Sequence, residues 1–273
     1  MDPRPRSFWA LSAFFALFVI FLYGPTVTIG ILSFQGPQGG LTFPMNGVST
    51  YWFHNLFEQQ AVGDIWGAFR RSFALGLMVM AATVVIAVMG GLAFRTRFKG
   101  SGALFYLTIA SLVIPSILVS LGVGLVFDRL GLKVHWASSG FGAQLTWTLP
   151  FGLLVMFAVC NRFDRSYEEA ARDQGATAWQ TFAHVVLPII APSVIGVALF
   201  GFSLSYDEFA RTLLTAGSYN TLPLEIFGMT TNVTKPVIYA LGTLTTVFFF
   251  AMIAVFLGAF WLAERRRAKR AAA

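Results

Sequence analysis

Two stretches of this sequence hold residue types that could act on something other than lipid. The first is the acidic pair Asp207-Glu208, preceded by Tyr206 and followed by Arg211, inside an otherwise apolar run. An acidic side chain at the centre of a membrane helix costs about 2.5–3.5 kcal/mol on insertion scales, so it normally faces a cavity or a partner. A carboxylate pair lining a pathway would attract a cation. Two plainer arrangements stay open. Arg211 follows Asp207 by four residues and Glu208 by three, a spacing that pairs charges on a helix, or both acids could lie in water at the outer interface.

The second stretch is the polar segment 161–188, Asn-Arg-Phe-Asp-Arg-Ser-Tyr-Glu-Glu-Ala-Ala-Arg-Asp-Gln-Gly-Ala-Thr-Ala-Trp-Gln-Thr-Phe-Ala-His-Val-Val-Leu-Pro. It reads as two short helices joined at Gly175. Ser166 with Glu169 has the spacing of a capping box, which predicts a helix from Tyr167. Gly175 suits a left-handed stop. Thr177 with Gln180 predicts a second capping box, and Pro188 a bend into the next apolar run. Tyr167, Ala170, Ala171 and Gln174 share a stripe, and two alanines there leave room for another protein to approach. Trp179, Phe182, Ala183 and Val186 share a face that would pack under the first helix or onto neighbouring helix ends. From the residues alone, an amphipathic hairpin resting on lipid and a docking element are equally good readings.

Other chemistry is excluded. A single cysteine, Cys160, rules out internal disulfides and any multi-cysteine metal site, and His54, His135 and His184 lack metal-ligand spacing. No G-x-x-x-x-G-K-[ST] phosphate loop occurs, so the chain cannot bind ATP in that manner. The apolar runs contain one acidic pair and no histidine, which leaves no catalytic constellation for a membrane-embedded enzyme.

The elements that position these residues follow from composition. Of 273 residues, 56% are hydrophobic and 11% charged, against about 25% charged in soluble domains. The mean hydropathy is +0.71. Lipid must be the main solvent, and the predicted fold class is an all-α polytopic membrane protein of about six transmembrane helices, one domain over 1–273. Six runs satisfy the roughly 20 apolar residues a span needs: Phe8–Leu32, Ser72–Phe94, Gly102–Phe127, Ala143–Cys160, Ile189–Leu214 and Val237–Leu262. No small-x-small cleavage site follows the first, which argues against a cleaved signal. The net charge of +7 sits in short clusters between spans, a pattern of topology and not of nucleic-acid binding. With the N-terminus inside, thirteen of the nineteen Lys and Arg fall on the inner side, among them Arg4, Arg95 and Arg97, and the outer side includes Lys235. Both termini are therefore expected in the cytoplasm, with segment 161–188 as a cytoplasmic loop. Arg70 and Arg71 run against the rule and are assigned to an interfacial approach helix, Asp64–Arg71. Tyr51, Trp52, Phe53, Phe57 and Trp66 suit an interfacial outer loop, and the Glu264–Arg270 run a stop-transfer anchor on anionic lipid.

The string Glu169-Ala170-Ala171-x-x-x-Gly175, nine residues, then Val185-x-Leu187-Pro188 resembles the E-A-A loop of ABC importer permeases, with Val185 where isoleucine is usual. Tyr23-Gly24-Pro25, Ile114-Pro115, Leu149-Pro150-Phe151 and the stretch Ser205–Leu244 extend the resemblance over nearly the whole chain, and the last looks like the spermidine/putrescine branch. The resemblance implies that the loop is a coupling helix inserted into a separate ATPase subunit, with Glu169, Ala170, Ala171 and Gly175 in contact and Glu168, Leu187 and Pro188 completing the coupling segment. It implies a bacterial inner-membrane importer of two ATPase subunits, a second homologous permease and an extracytoplasmic solute-binding protein, with no cofactor in this chain because ATP and Mg belong to the ATPase. The implied pathway residues are Tyr206, Asp207, Glu208, Ser116 and Gln144, moving polyamines or related cations. Ser116 stands where the branch often has an acid and Gln144 where a histidine is common, so an opine, phosphonate or ferric-ion importer of the same architecture remains an alternative, as does a channel or scaffold without an ATPase.

Overall fold

The computed structural model describes residues 6–56, 58, 63–96, 98–232 and 236–271. Arg4, Phe57, Arg97 and Lys235 lie outside the described residues, as do the side chains of Glu264–Arg270 apart from Arg265. Among the described residues the chain is helical, with a single isolated bridge between Gln35 and Val48. It forms two compact units, 1–63 with 228–273, and 64–227.

The first unit is built on α1 (Arg6–Leu32), the short α2 (Tyr51–Asn55) and α11 (Val237–Ala271), with α11 packing on both others. The segment between α1 and α2 is folded around Gln35. Its buried amide donates to the Gly40 carbonyl at 3.2 Å and accepts from the Asn46 amide at 2.7 Å. Trp52 is buried, its Nε1 donating to the Gly36 carbonyl at 3.3 Å, so this aromatic is a core residue and not an interfacial anchor. Tyr51 and Trp66 are exposed, as interfacial positions require.

The second unit centres on three long helices: α3 (Ile65–Ala93), α6 (Phe141–Arg162) and α9 (Leu187–Tyr206). Helix α3 packs most extensively on α6 and α9. Its buried stripe Leu75, Val79, Thr83 and Ala87 repeats every four residues, as one helix face must. Small residues let the three helices approach closely. A Cβ on Gly152 of α6 would lie 2.9 Å from Thr83 Cγ2, 3.1 Å from Ala87 Cβ and 3.2 Å from Val197 Cγ1. A polar seam crosses the same junction: Thr83 and Thr148 hydroxyls are 2.7 Å apart, and Ser205 Oγ donates to Gln144 Oε1. Such pairs satisfy polar groups where no water competes.

The Asp64–Arg71 stretch leads into the second span, as read from the sequence: α3 starts at Ile65 and runs through it, with Asp64 Oδ1 accepting from the Gly67 amide at 2.9 Å as N-cap. Two expectations are corrected. The third span is not one helix. It is α4 (Ser101–Val113) and α5 (Ser116–Arg129), bent by 109° at Ile114-Pro115. Ile114 is extended (φ −70°, ψ 128°), the conformation a following proline imposes. The fifth span ends at Tyr206, not Leu214. Beyond it the Glu208 carboxylate accepts from the Arg211 amide at 2.9 Å and Thr212 Oγ1 donates to the Glu208 carbonyl at 2.9 Å, closing turns that compete with helix continuation. Among the described residues there are therefore five helices long and apolar enough to cross a membrane, or six with the bent pair counted as one span. A further helix, α10 (Leu222–Asn232), is short.

Candidate functional site

The hairpin after α6 forms from local chemistry. Asp164 Oδ1 accepts from the Ser166 amide at 2.9 Å, and the hydrogen bonds from Ser166 hold its carboxyl below the usual carboxylate range. This starts α7 (Ser166–Asp173). The predicted Ser166–Glu169 capping box is not made, because Ser166 already lies inside the helix and Asp164 takes the turn. Helix α7 ends in a Schellman motif. Gly175 N donates to the Arg172 carbonyl at 2.8 Å and Ala176 N to the Ala171 carbonyl at 3.1 Å, with Gly175 at φ +80°.

The second capping box does form. Gln180 N donates to Thr177 Oγ1 at 3.3 Å and Thr177 N to Gln180 Oε1 at 2.8 Å. Helix α8 (Ala178–Thr181) then passes through a π-helical turn, Phe182–Val186, directly into α9. Pro188 follows the π-helical turn, inside the continuous helical run Ala178–Tyr206. Val186 and Ile190 are buried in a cluster with Ala87, Val88, Met156, Cys160 and Val197, and Leu187 packs against it. Val186, Leu187 and Ile190 thus root the hairpin in the bundle.

The other loop residues divide by exposure. Glu169, Ala170 and Gly175 are exposed, and Ala171 is half-buried. Trp179 is 72% exposed, against the expectation that it packs inward, because Thr181 and Val186 occupy the inward face. With the exposed Tyr167 it leaves an aromatic and alanine surface free. Glu168 turns inward instead, paired with Arg95 just beyond the end of α3. Arg95 contributed only to the charge count in the sequence; nothing local marks it as a partner of a residue 73 positions away.

At the other end of α9, Asp207 is the exposed C-cap and Glu208 is half-buried. Tyr206 is buried, stacked on Phe202 at 5.8 Å and edge-on to Phe69 at 6.3 Å. Gln144 is buried against Ser205, and Ser116, the first residue of α5, is half-buried beside the bend.

Glu208 meets Arg211 through the backbone amide; among the described residues the Arg211 guanidinium forms no ion pair with either acid, because residues 207–221 are not helical. Its guanidinium is fully buried over the Trp147 ring at 5.2 Å. It bonds Thr146 Oγ1 and, through Nη2, the Ser111 carbonyl at 3.2 Å. Ser111 is the residue whose carbonyl would accept from position 115 in a continuous helix, and Pro115 has no N–H to give. Arg211 supplies that donor. Its own carbonyl accepts from Ser120 Oγ at 3.0 Å, so the same residue ties the loop to both halves of the broken span. Among the described residues, no three His, Cys, Asp or Glu side chains could hold a metal ion.

Comparison with known proteins gives consistent matches. The family described as "Binding-protein-dependent transport system inner membrane component" matches residues 82–268. The putrescine transport system permease protein PotI of Escherichia coli (strain K12) is 31% identical over 253 residues, covering 89% of this chain and 87% of that one. The spermidine/putrescine transport system permease protein PotC of Haemophilus influenzae is 28% identical over 252 residues, covering 90% and 94%. A solved bacterial ABC transporter involved in alginate import superposes with a TM-score of 0.67 at 15% identity, over 97% of this chain and 99% of that one. The alginate transporter in complex with its alginate pentasaccharide-bound periplasmic protein gives 0.69 at 14%, over 94% and 93%. At such identities the two structures speak for the fold alone.

Proposed function

The chain belongs to the family of binding-protein-dependent transport system inner membrane components, and from that membership we propose that it is the permease subunit of an ATP-driven importer of small organic cations such as polyamines. It is a multi-pass permease component. In the proposed assembly it pairs with a second homologous permease, two ATPase subunits and an extracytoplasmic solute-binding protein, with both termini and loop 161–188 in the cytoplasm. ATP and Mg are bound by the ATPase. Closure of the ATPase pair on ATP pushes the hairpins and switches access by rigid-body motion of the helices.

The observation that carries this reading is the hairpin itself. Glu169, Ala170, Tyr167 and Trp179 are left exposed on two short helices whose ends are fixed by a Schellman turn and a capping box, while Val186 and Ile190 bury its root. A rigid lever with a small-residue face suits mechanical coupling better than lipid contact. The cationic substrate rests on the putrescine and spermidine/putrescine relatives and on the exposed carboxylate of Asp207.

Reconstitution with the ATPase and binding protein tests both parts. Glu169→Trp should abolish ATP-dependent uptake while the chain still reaches the membrane; unchanged uptake overturns the coupling role. The Asp207→Asn/Glu208→Gln double variant should lower polyamine uptake without releasing the ATPase, and undiminished uptake refutes the pathway role.

A further inference from the structure

Helix α7 buries none of its residues; it meets α8 and the π-helical turn that follow it in the chain, and its contacts to the end of α3 are polar. Arg95 lies two residues beyond that helix, and its side chain is 10% exposed. Its guanidinium is bonded to Glu168 Oε1, its carbonyl accepts from Arg165 Nη2 at 2.9 Å, and the Phe163 ring centroid is 5.3 Å from Cζ. The Glu168 side chain is 16% exposed, and the more distant Arg172, at 3.9 Å, is largely in water. Arg95 Nη2 is buried without a hydrogen bond. Among the described residues Glu168 is the carboxylate paired with this cation.

We propose that Arg95 is the positioning residue of the hairpin, and that the Arg95–Glu168 pair is the link through which displacement of α7 is passed to α3. The inference rests on the coupling role proposed above and goes beyond it by naming the connection inside the chain. Helix α3 is the suitable receiver because it packs along both α6 and α9. A half-buried ion pair transmits both push and pull, since lateral separation strands two charges in a poorly solvated place. Glu169, exposed on the same helix, is left for the partner. The two adjacent glutamates then have opposite duties: Glu168 holds the lever to the bundle and Glu169 meets what moves it.

The test separates linkage from stability. Removing one partner strands the other charge, whereas replacing both by apolar groups does not. The Arg95→Met/Glu168→Met double variant should reach the membrane at parental levels and bind the ATPase. In proteoliposomes with ATPase and binding protein, its substrate imported per ATP hydrolysed should fall about tenfold, a coupling loss within the usual range between linked sites. A parental ratio overturns the proposal. Should the double variant fail to accumulate, Glu168→Asp, which keeps the charge but withdraws it by one methylene, is measured in the same assay; a reduced ratio supports the link and a parental ratio refutes it. If uptake by the parent chain itself does not depend on ATP, the underlying coupling role falls, and that outcome is distinct from a normal ratio in the variant.

Discussion

Gly175 offers a test of whether the hairpin works through its shape or through a contact made at that position. Its φ of +80° is a left-handed conformation, which costs a residue with a Cβ about 1–2 kcal/mol. No atom lies within 4 Å of where that Cβ would stand, so within the chain the cost is conformational and contains no steric part. Gly175→Ala should therefore shift the closed Schellman turn by roughly 5–30-fold. Asparagine tolerates this region better, so Gly175→Asn should lose less although its side chain is larger. The direct assay is amide hydrogen exchange at Ala176, whose N–H is bonded to the Ala171 carbonyl at 3.1 Å. Protection should fall most for Ala and least for Asn, and ATP-dependent uptake in the reconstituted importer should follow the same order. If Asn abolishes uptake while preserving protection, bulk at this position obstructs the partner and the conformational account fails. Unchanged protection in Gly175→Ala refutes it more simply.

Two further outcomes concern the scaffold. Gly152→Ala places a methyl 2.9 Å from Thr83 Cγ2 and should lower stability in detergent by about 1–3 kcal/mol, with partial recovery when Thr83→Ser is added, read by thermal unfolding. The Asp64 carboxyl is held below its usual range by the Gly67 amide first and by Arg71 second. Its folded value lies under its unfolded one, so its contribution is present above the ordinary carboxylate pKa and is lost as pH falls through the folded value. Asp64→Ala should cost about 1 kcal/mol at neutral pH and should remove that part of the acid-side loss, checked by melting curves from pH 6 to pH 3.

The parts of the molecule that were legible in the sequence are those whose determinants are neighbours. Gly175, Thr177 with Gln180, and the Glu-Ala-Ala spacing specify the hairpin within a dozen residues, and the apolar runs specify long helices. Ser166 misled because Asp164, two residues upstream, competes for the same helix start and wins by reaching the Ser166 amide. The end of α9 misled for a related reason: pairing Asp207 with Arg211 presumes a helix that Glu208 and Thr212 close off. Pro115 is the instructive failure. Pro25, Pro150 and Pro192 sit inside continuous helices, whereas Pro115 breaks one. Arg211 helps to decide its case, arriving at the Ser111 carbonyl from 100 residues further along the chain. No window around Pro115 contains that fact, nor does any window around Arg95 contain Glu168.

The bend beside Pro115 has an evolutionary corollary. Straightening α4 and α5 by replacing the proline would give Ser111 a backbone donor and leave the guanidinium of Arg211 redundant, yet still enclosed. Neutralising Arg211 first would strand a carbonyl in an apolar setting. Either single change is worse than both or neither, so the two positions are locked to one another. A descendant of this chain could lose the elbow only by passing through a crippled intermediate or by changing both sites at once.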